Sequence, residues 1–238
     1  MSSISPKTFL VCHGAWSAGW MWKKMHPLMN AAGHGLVTPS YTGLGERAHL
    51  ANPSIDLETH IEDMLNVIKY EDLRDIVLIG HSYGGMVATG VADRARERIT
   101  QLIYIDAFVP DNDQSLFDLN ETGRQHLQEL AKSGDGWRVP PLPSASDTLP
   151  ADLEWLAPRR VDMPIKCFET KLKLQGGALT LPRSYIYATR ITPADTFGPF
   201  AKRAKIEAGW RYYEIDASHS PSVTAPETLM ALLEKIVA

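Results

Sequence analysis

A serine hydroxyl becomes a useful nucleophile only where a base can take its proton and fixed dipoles can meet the charge that develops on its target. One stretch of this sequence has the local form for that chemistry. Gly80-His81-Ser82-Tyr83-Gly84-Gly85 follows the apolar run Ile76-Val77-Leu78-Ile79 and precedes a helical pattern beginning at Met86. Glycines two places before and after the serine let the chain fold back sharply between a strand and a helix. The hydroxyl then stands out over the strand end. Ser82 is the candidate nucleophile. Its three fixed letters are a weak pattern alone, so their worth depends on partners elsewhere.

The candidate base is His219, in Asp216-Ala217-Ser218-His219-Ser220-Pro221, between the last strand pattern and the last helical one. Loops beyond the carboxyl ends of parallel strands are where open α/β sheets gather their reacting groups. Of the eight histidines, only His219 follows a late strand. His26, His34, His49, His60 and His126 fall in helical or loop segments and read as solvated surface residues. His81 neighbours the serine, but its side chain is expected to point away, in a structural role.

The elements that must position these groups alternate between short apolar runs and helical patterns. Strands are expected at Thr8 to Cys12, Gly35 to Thr38, Ile76 to Ile79, Leu102 to Ile105, Arg183 to Thr189 and Arg211 to Ile215. Helices are expected at Trp20 to Ala31, Leu57 to about Tyr70, Met86 to Glu97, Phe197 to Ala208 and from Pro226 onward. This alternation predicts an α/β fold with about six mostly parallel strands flanked by helices. From Asp111 to about Pro182 the rhythm breaks, with much Pro, Ser and Asp, helical patches around Gly123 to Lys132 and no convincing strand. So long a stretch reads as a helical lid, residues 111–182, inserted into a core of residues 1–110 and 183–238.

Composition narrows the function classes. The chain has 238 residues, 44% hydrophobic, enough for one sizeable core, and a net charge of −4 without charge blocks. Neither nucleic acid nor an anionic membrane surface is the expected partner. No apolar run approaches the roughly 18 residues that cross a bilayer. Two cysteines, Cys12 and Cys167, make no disulfide framework, and no charged-then-apolar leader precedes the first strand, so a cytoplasmic protein is expected. No His or Cys pair has metal-ligand spacing. Gly43-Leu44-Gly45 lacks the third glycine of a dinucleotide fingerprint, so no cofactor is expected.

His13-Gly14-Ala15-Trp16, the elbow continued by Gly85-Met86, Asp106-Ala107-Phe108-Val109-Pro110 and the terminal histidine loop together resemble the plant methylesterase and hydroxynitrile lyase branch of the α/β-hydrolase superfamily. The resemblance spans nearly the whole chain outside the lid. It implies an α/β-hydrolase fold, a helical lid, no cofactor, and an oxyanion hole formed by the backbone N–H groups of Ala15 and Tyr83. Relatives often pair, which leaves room for a homodimer. The expected activity is a carboxylesterase-type serine hydrolysis of small apolar or aromatic esters. Trp16, Phe108, Phe117, Trp137 and Trp155 are candidate pocket residues, within a wider aromatic set that includes Trp20, Trp22 and Phe168.

The acid departs from the family's pattern. Its usual position falls here on Ile191, which cannot orient an imidazole. Asp106, at the carboxyl end of the strand after the nucleophile's helix, is the first choice, followed by Asp195 and then Asp216. An Asp there can accept the imidazole N–H and hold the reactive tautomer, and a carboxylate at an apolar strand end needs a partner. Two other activities fit the same fold. A hydroxynitrile lyase is disfavoured because those relatives carry Lys after the histidine, where this chain has Ser220. A small-molecule-binding protein is disfavoured by the intact Ser and His.

Overall fold

The computed structural model describes residues 5–145, 147–177, 180–191 and 194–238. In chain order the strands are β1 (Thr8–Cys12), β2 (Gly35–Val37), β3 (Ile76–His81), β4 (Ile99–Ile105), β5 (Arg138–Val139), β6 (Met163–Pro164), β7 (Arg183–Ala188) and β8 (Trp210–Ile215). The helices are α1 (Met25–Ala31), α2 (Leu57–Tyr70), α3 (Gly84–Arg94), α4 (Leu116–Leu119), α5 (Glu121–Ser133), α6 (Pro150–Leu156), α7 (Lys166–Glu169), α8 (Gly198–Ile206), α9 (Pro221–Thr224) and α10 (Pro226–Val237).

Six strands form one parallel sheet in the order β2-β1-β3-β4-β7-β8. The central strands read as continuous apolar runs because both of their faces are covered. Successive side chains alternate between two cores, as the period of a strand requires. Leu10, Leu78, Leu102 and Tyr104 enter the core beneath α2, α3 and α8. Phe9, Val11, Val77, Ile79, Ile103 and Ile105 enter the opposite one, beneath α1 and α10. Helix α2 illustrates the local logic: Asp56 accepts from Thr59 N at 3.0 Å in a capping box, and Leu57, His60, Ile61, Met64 and Ile68 are its buried positions.

Two expectations need correction. Trp20 to Ala31 is not one helix but a 3-10 turn at Gly19–Trp22 followed by α1. Pro27 lacks the N–H that an earlier start would have to bond to Lys23, so the α-helix begins only at Met25. The segment between β4 and β7 holds α4 to α7 but also an antiparallel pair, β5 with β6, where no strand was expected. Two residues per strand leave too short an alternation to read. Its buried Leu116, Phe117, Leu127, Val139, Met163, Cys167 and Phe168 join the core shared with α2 and α3, so these residues have no separate core of their own. Among the described residues no helix is long and apolar enough to cross a membrane.

Candidate active site

Strand β3 ends at His81, and Ser82 follows in the left-handed region with φ 56°. A non-glycine residue held there is strained, and the surrounding structure must impose it. Ser82 N–H donates to Ile105 O at 3.4 Å, while Ser82 O accepts from Gly85 N at 3.0 Å and Phe108 N at 3.2 Å. The two following glycines are dictated by close approach: a Cβ on Gly84 would overlap the Cys12 carbonyl, and one on Gly85 the Phe108 carbonyl. Helix α3 therefore starts wedged between the ends of β1 and β4, and Ser82 is left partly exposed at its tip.

His219 lies between β8 and α9, and its Nδ1–H donates to Asp106 Oδ2 at 2.7 Å. Asp106 is the first residue past β4 and also has a left-handed backbone, φ 43°. Its other oxygen, Oδ1, accepts from Ala188 N–H at 3.3 Å. The strand end is braced by Tyr185, whose hydroxyl donates to Ala107 O at 2.9 Å and accepts from Ala107 N at 3.1 Å. The other two carboxylates are engaged elsewhere. Asp195 accepts from Gly198 N at 2.6 Å at the start of α8. Asp216 pairs with Arg190 at 2.8 Å on the surface, which holds its carboxyl below the usual range. Ser82 Oγ and His219 Nε2 have no hydrogen-bond partner among the described residues, and such contacts frequently tighten only when substrate orders a site.

The loop after β1, which carries Ala15, packs against the turn at Ser82. His13 is fully buried; its Nδ1–H donates to Gly14 O at 2.9 Å and its Nε2 accepts from Tyr41 N at 3.3 Å. Burial lowers its pKa to about 3, so a neutral ring holds the turn. Beyond it, the N–H groups of Ala15 and Tyr83 have no protein acceptor among the described residues. Trp16, at φ 54°, is anchored by its Nε1–H to Val139 O at 2.8 Å, tying this loop to β5.

The aromatic candidates separate into distinct groups. Trp16 packs on Phe168 at 5.6 Å between ring centres, and Phe168 in turn meets Phe117 at 6.1 Å and Tyr83 at 5.9 Å. Phe108 packs on Phe197 at 5.1 Å, and Phe197 stacks on the His219 imidazole at 4.8 Å with the planes 6° apart. Trp137 is covered by the Arg138 guanidinium. Trp155 packs edge-on against Trp20, beside the opposite core, apart from the Trp16, Phe117 and Phe168 cluster.

The sequence matches the model of the alpha/beta hydrolase family over residues 9–232. The chain belongs to that family. The hydrolase is 37% identical to a carbendazim hydrolyzing esterase from Nocardioides sp., across 97% of this chain and 98% of that protein. It is also 28% identical to methylesterase 1 of Arabidopsis thaliana over 51% of this chain and 47% of that one. Its fold is similar to that of an extracellular alpha/beta-hydrolase from a Paenibacillus species described as a structural and functional homologue of tobacco salicylic acid binding protein 2. That match has a TM-score of 0.85, 25% identity and coverage of 97% and 98% of the two chains.

Some contacts of the site were not anticipated from sequence. His60 and His34, expected on the surface, are buried. His60 Nε2–H donates to Thr42 O at 3.2 Å, so its Nδ1 accepts from the Tyr83 hydroxyl at 2.9 Å. Burial lowers the His60 pKa to about 4, keeping it neutral. The helical spacing of His60 with Leu57, Ile61, Met64 and Ile68 carried that signal. Phe197 and the Ala188 amide had no such signal, because both reach the site through strand order.

Proposed function

We propose that this hydrolase cleaves carboxylic esters through a covalent acyl-enzyme on Ser82, with His219 as base and Asp106 as the acid that orients it. The observation that carries this reading is the 2.7 Å bond from His219 Nδ1 to Asp106 Oδ2, next to a serine on a strained turn. A carboxylate at Nδ1 leaves Nε2 as the free acceptor, the tautomer a base needs. His219 Nε2 takes the hydroxyl proton as Ser82 Oγ attacks the ester carbonyl carbon. The Ala15 and Tyr83 amides receive the oxyanion, at roughly 3 kcal/mol of transition-state stabilisation per donor. As the tetrahedral intermediate collapses, the imidazolium passes its proton to the departing alcohol. Water then attacks the acyl-enzyme by the same route and frees the acid.

Residues 111–182 act in this reading as the lid. Phe117 within it and Trp16 on the β1 loop, with Phe108 packed on the Phe197 that stacks on His219, suit a compact apolar or aromatic substrate. The names of the Nocardioides and plant relatives support ester substrates, so methyl esters of aromatic acids belong in the first panel. The working partner is a small-molecule ester, and the working location the cytoplasm. Rapid mixing with a short-chain aryl ester tests the mechanism: a burst of alcohol equal to the enzyme concentration is expected. A Ser82→Ala variant with undiminished turnover would rule it out. Cyanide release from mandelonitrile is not expected, since Ser220 offers no cation to receive it.

A further inference from the structure

His81 immediately precedes the nucleophile, and its buried imidazole ends in two unlike environments. Nε2 lies 2.7 Å from the backbone carbonyl oxygen of His219. A carbonyl can only accept, so Nε2 carries the proton. Nδ1 is then a bare lone pair, buried without a partner among the described residues. A Cβ added to Gly14 would stand 3.1 Å from that nitrogen and 3.1 Å from Ser82 Cβ, so the ring fills the space behind the turn that carries Ala15. One neutral ring thus touches the nucleophile's strand, the base's loop and the oxyanion loop. Desolvation keeps it uncharged by lowering its pKa to about 3.

An orphaned buried acceptor destabilises a fold, and an apolar side chain of similar size would not carry that cost. What distinguishes histidine here is the other nitrogen. Asp106 bonds the His219 imidazole at Nδ1 and Phe197 stacks on its face, but neither contact holds the backbone that carries the ring. The carbonyl bond from His81 fixes the backbone that carries the ring, and the His81 and His219 rings also pack 4.8 Å apart at 34°. Together these contacts hold the His219 ring at its Nδ1, at its faces and at its backbone.

We propose that His81 is a positioning residue, whose Nε2–H bond to the His219 carbonyl sets the placement of the catalytic imidazole relative to Ser82. This rests on the reading of Ser82 and His219 as nucleophile and base. Displacing a reacting group by about 1 Å costs on the order of 100-fold in rate, so the effect falls on kcat rather than on substrate binding.

The test uses four variants of the whole chain and a substrate-independent readout. A fluorophosphonate probe forms an O–P bond with the serine oxygen and releases fluoride, while the hydroxyl proton passes to His219. Labelling of Ser82, abolished in Ser82→Ala, supports the underlying reading; its absence from the wild type would overturn that reading and with it the role of His81 that rests on it, whereas the His81 variants test that role alone. In His81→Leu, which has no donor, labelling is expected to slow about 100-fold, with kcat for an aryl ester falling in parallel and KM within about threefold. In His81→Gln, whose amide N–H reaches to the same depth as Nε2, the rate is expected to recover to within about tenfold of wild type. His81→Asn, whose N–H stops short, is expected to resemble Leu. Circular dichroism identifies variants that fold, and the Gln and Asn pair decides the matter if Leu does not. A folded His81→Leu labelling at the wild-type rate, or Gln and Asn variants with equal rates, would overturn the proposal.

Discussion

Replacing Asp106 by Asn changes one oxygen for an NH2 group and exposes how much the acid contributes. The carboxylate accepts two N–H groups, from His219 Nδ1 at 2.7 Å and from Ala188 N at 3.3 Å. Asparagine has one acceptor oxygen. Turned toward His219, it sets its NH2 against the Ala188 N–H; turned toward Ala188, it sets the NH2 against Nδ1 and forces the proton onto Nε2, where it blocks the base. The negative charge that offsets the imidazolium in the transition state is lost in both orientations. Two charges about 4 Å apart at an effective dielectric constant of about 20 interact by about 4 kcal/mol. The Asp106 side chain is 7% exposed but that of His219 is 38% exposed, so screening reduces the effect to about 3 kcal/mol. With the mis-set tautomer added, kcat for p-nitrophenyl acetate should fall by about 10³-fold while KM moves less than about threefold. Asp195→Asn and Asp216→Asn should stay within about threefold of wild type, since surface substitutions away from such features are nearly neutral. An Asp106→Asn enzyme within tenfold of wild type, beside an Asp195→Asn enzyme crippled by orders of magnitude, would refute the assignment.

Three further perturbations follow from the packing and the buried histidines. His13, His60 and His81 have pKa values lowered by burial to about 3, 4 and 3. Depressed folded values mean that their contribution is complete above the unfolded pKa near 6.5 and is lost as pH falls toward 4, because only the unfolded chain binds the protons. Between pH 7.5 and 5.5 each should cost about 1.4 kcal/mol, about 4 kcal/mol in all, read as a falling urea midpoint; a midpoint that is flat or rises on acidification would contradict this. Gly84→Ala places a methyl group on the Cys12 carbonyl and should cost about 3 kcal/mol or more, a drop of about 10 °C in the thermal midpoint; an unchanged midpoint would show the wedge is not tight. Tyr83→Phe leaves His60 Nδ1 without its donor and should lower stability by about 1–3 kcal/mol in denaturant titration; a neutral effect would show that the bond is dispensable.

The parallel sheet was legible because its central strands bury both faces and so appear as short unbroken apolar runs, as in Ile76 to Ile79. The elbow was legible because its glycines answer to local sterics: α3 starts against the carbonyls of Cys12 and Phe108. Lateral adjacency depends on strand order rather than on distance along the chain. Asp106 and His219 are separated by 113 residues, and they meet because β4 and β8 both flank β7. Ala188 enters for the same reason. Ranking Asp106 ahead of Asp195 rested on the reach of that strand end to the histidine loop and on the need of a carboxylate at an apolar strand end for a partner; His219 Nδ1 lies 2.7 Å from its Oδ2. His60 was misread because polarity was weighted above its place on the buried stripe of α2. The aromatic set could not be sorted from sequence, since Trp155 and Phe117 lie only 38 residues apart yet pack against opposite cores, Trp155 beside Trp20 and Phe117 against Phe168.

The most direct test of the account is the mass of the enzyme quenched in acid during turnover of a short-chain aryl ester. One added acyl group per chain is expected, located on the peptide containing Ser82 and missing in Ser82→Ala. Turnover without any acyl adduct, or an adduct on another residue that persists in Ser82→Ala, would contradict it.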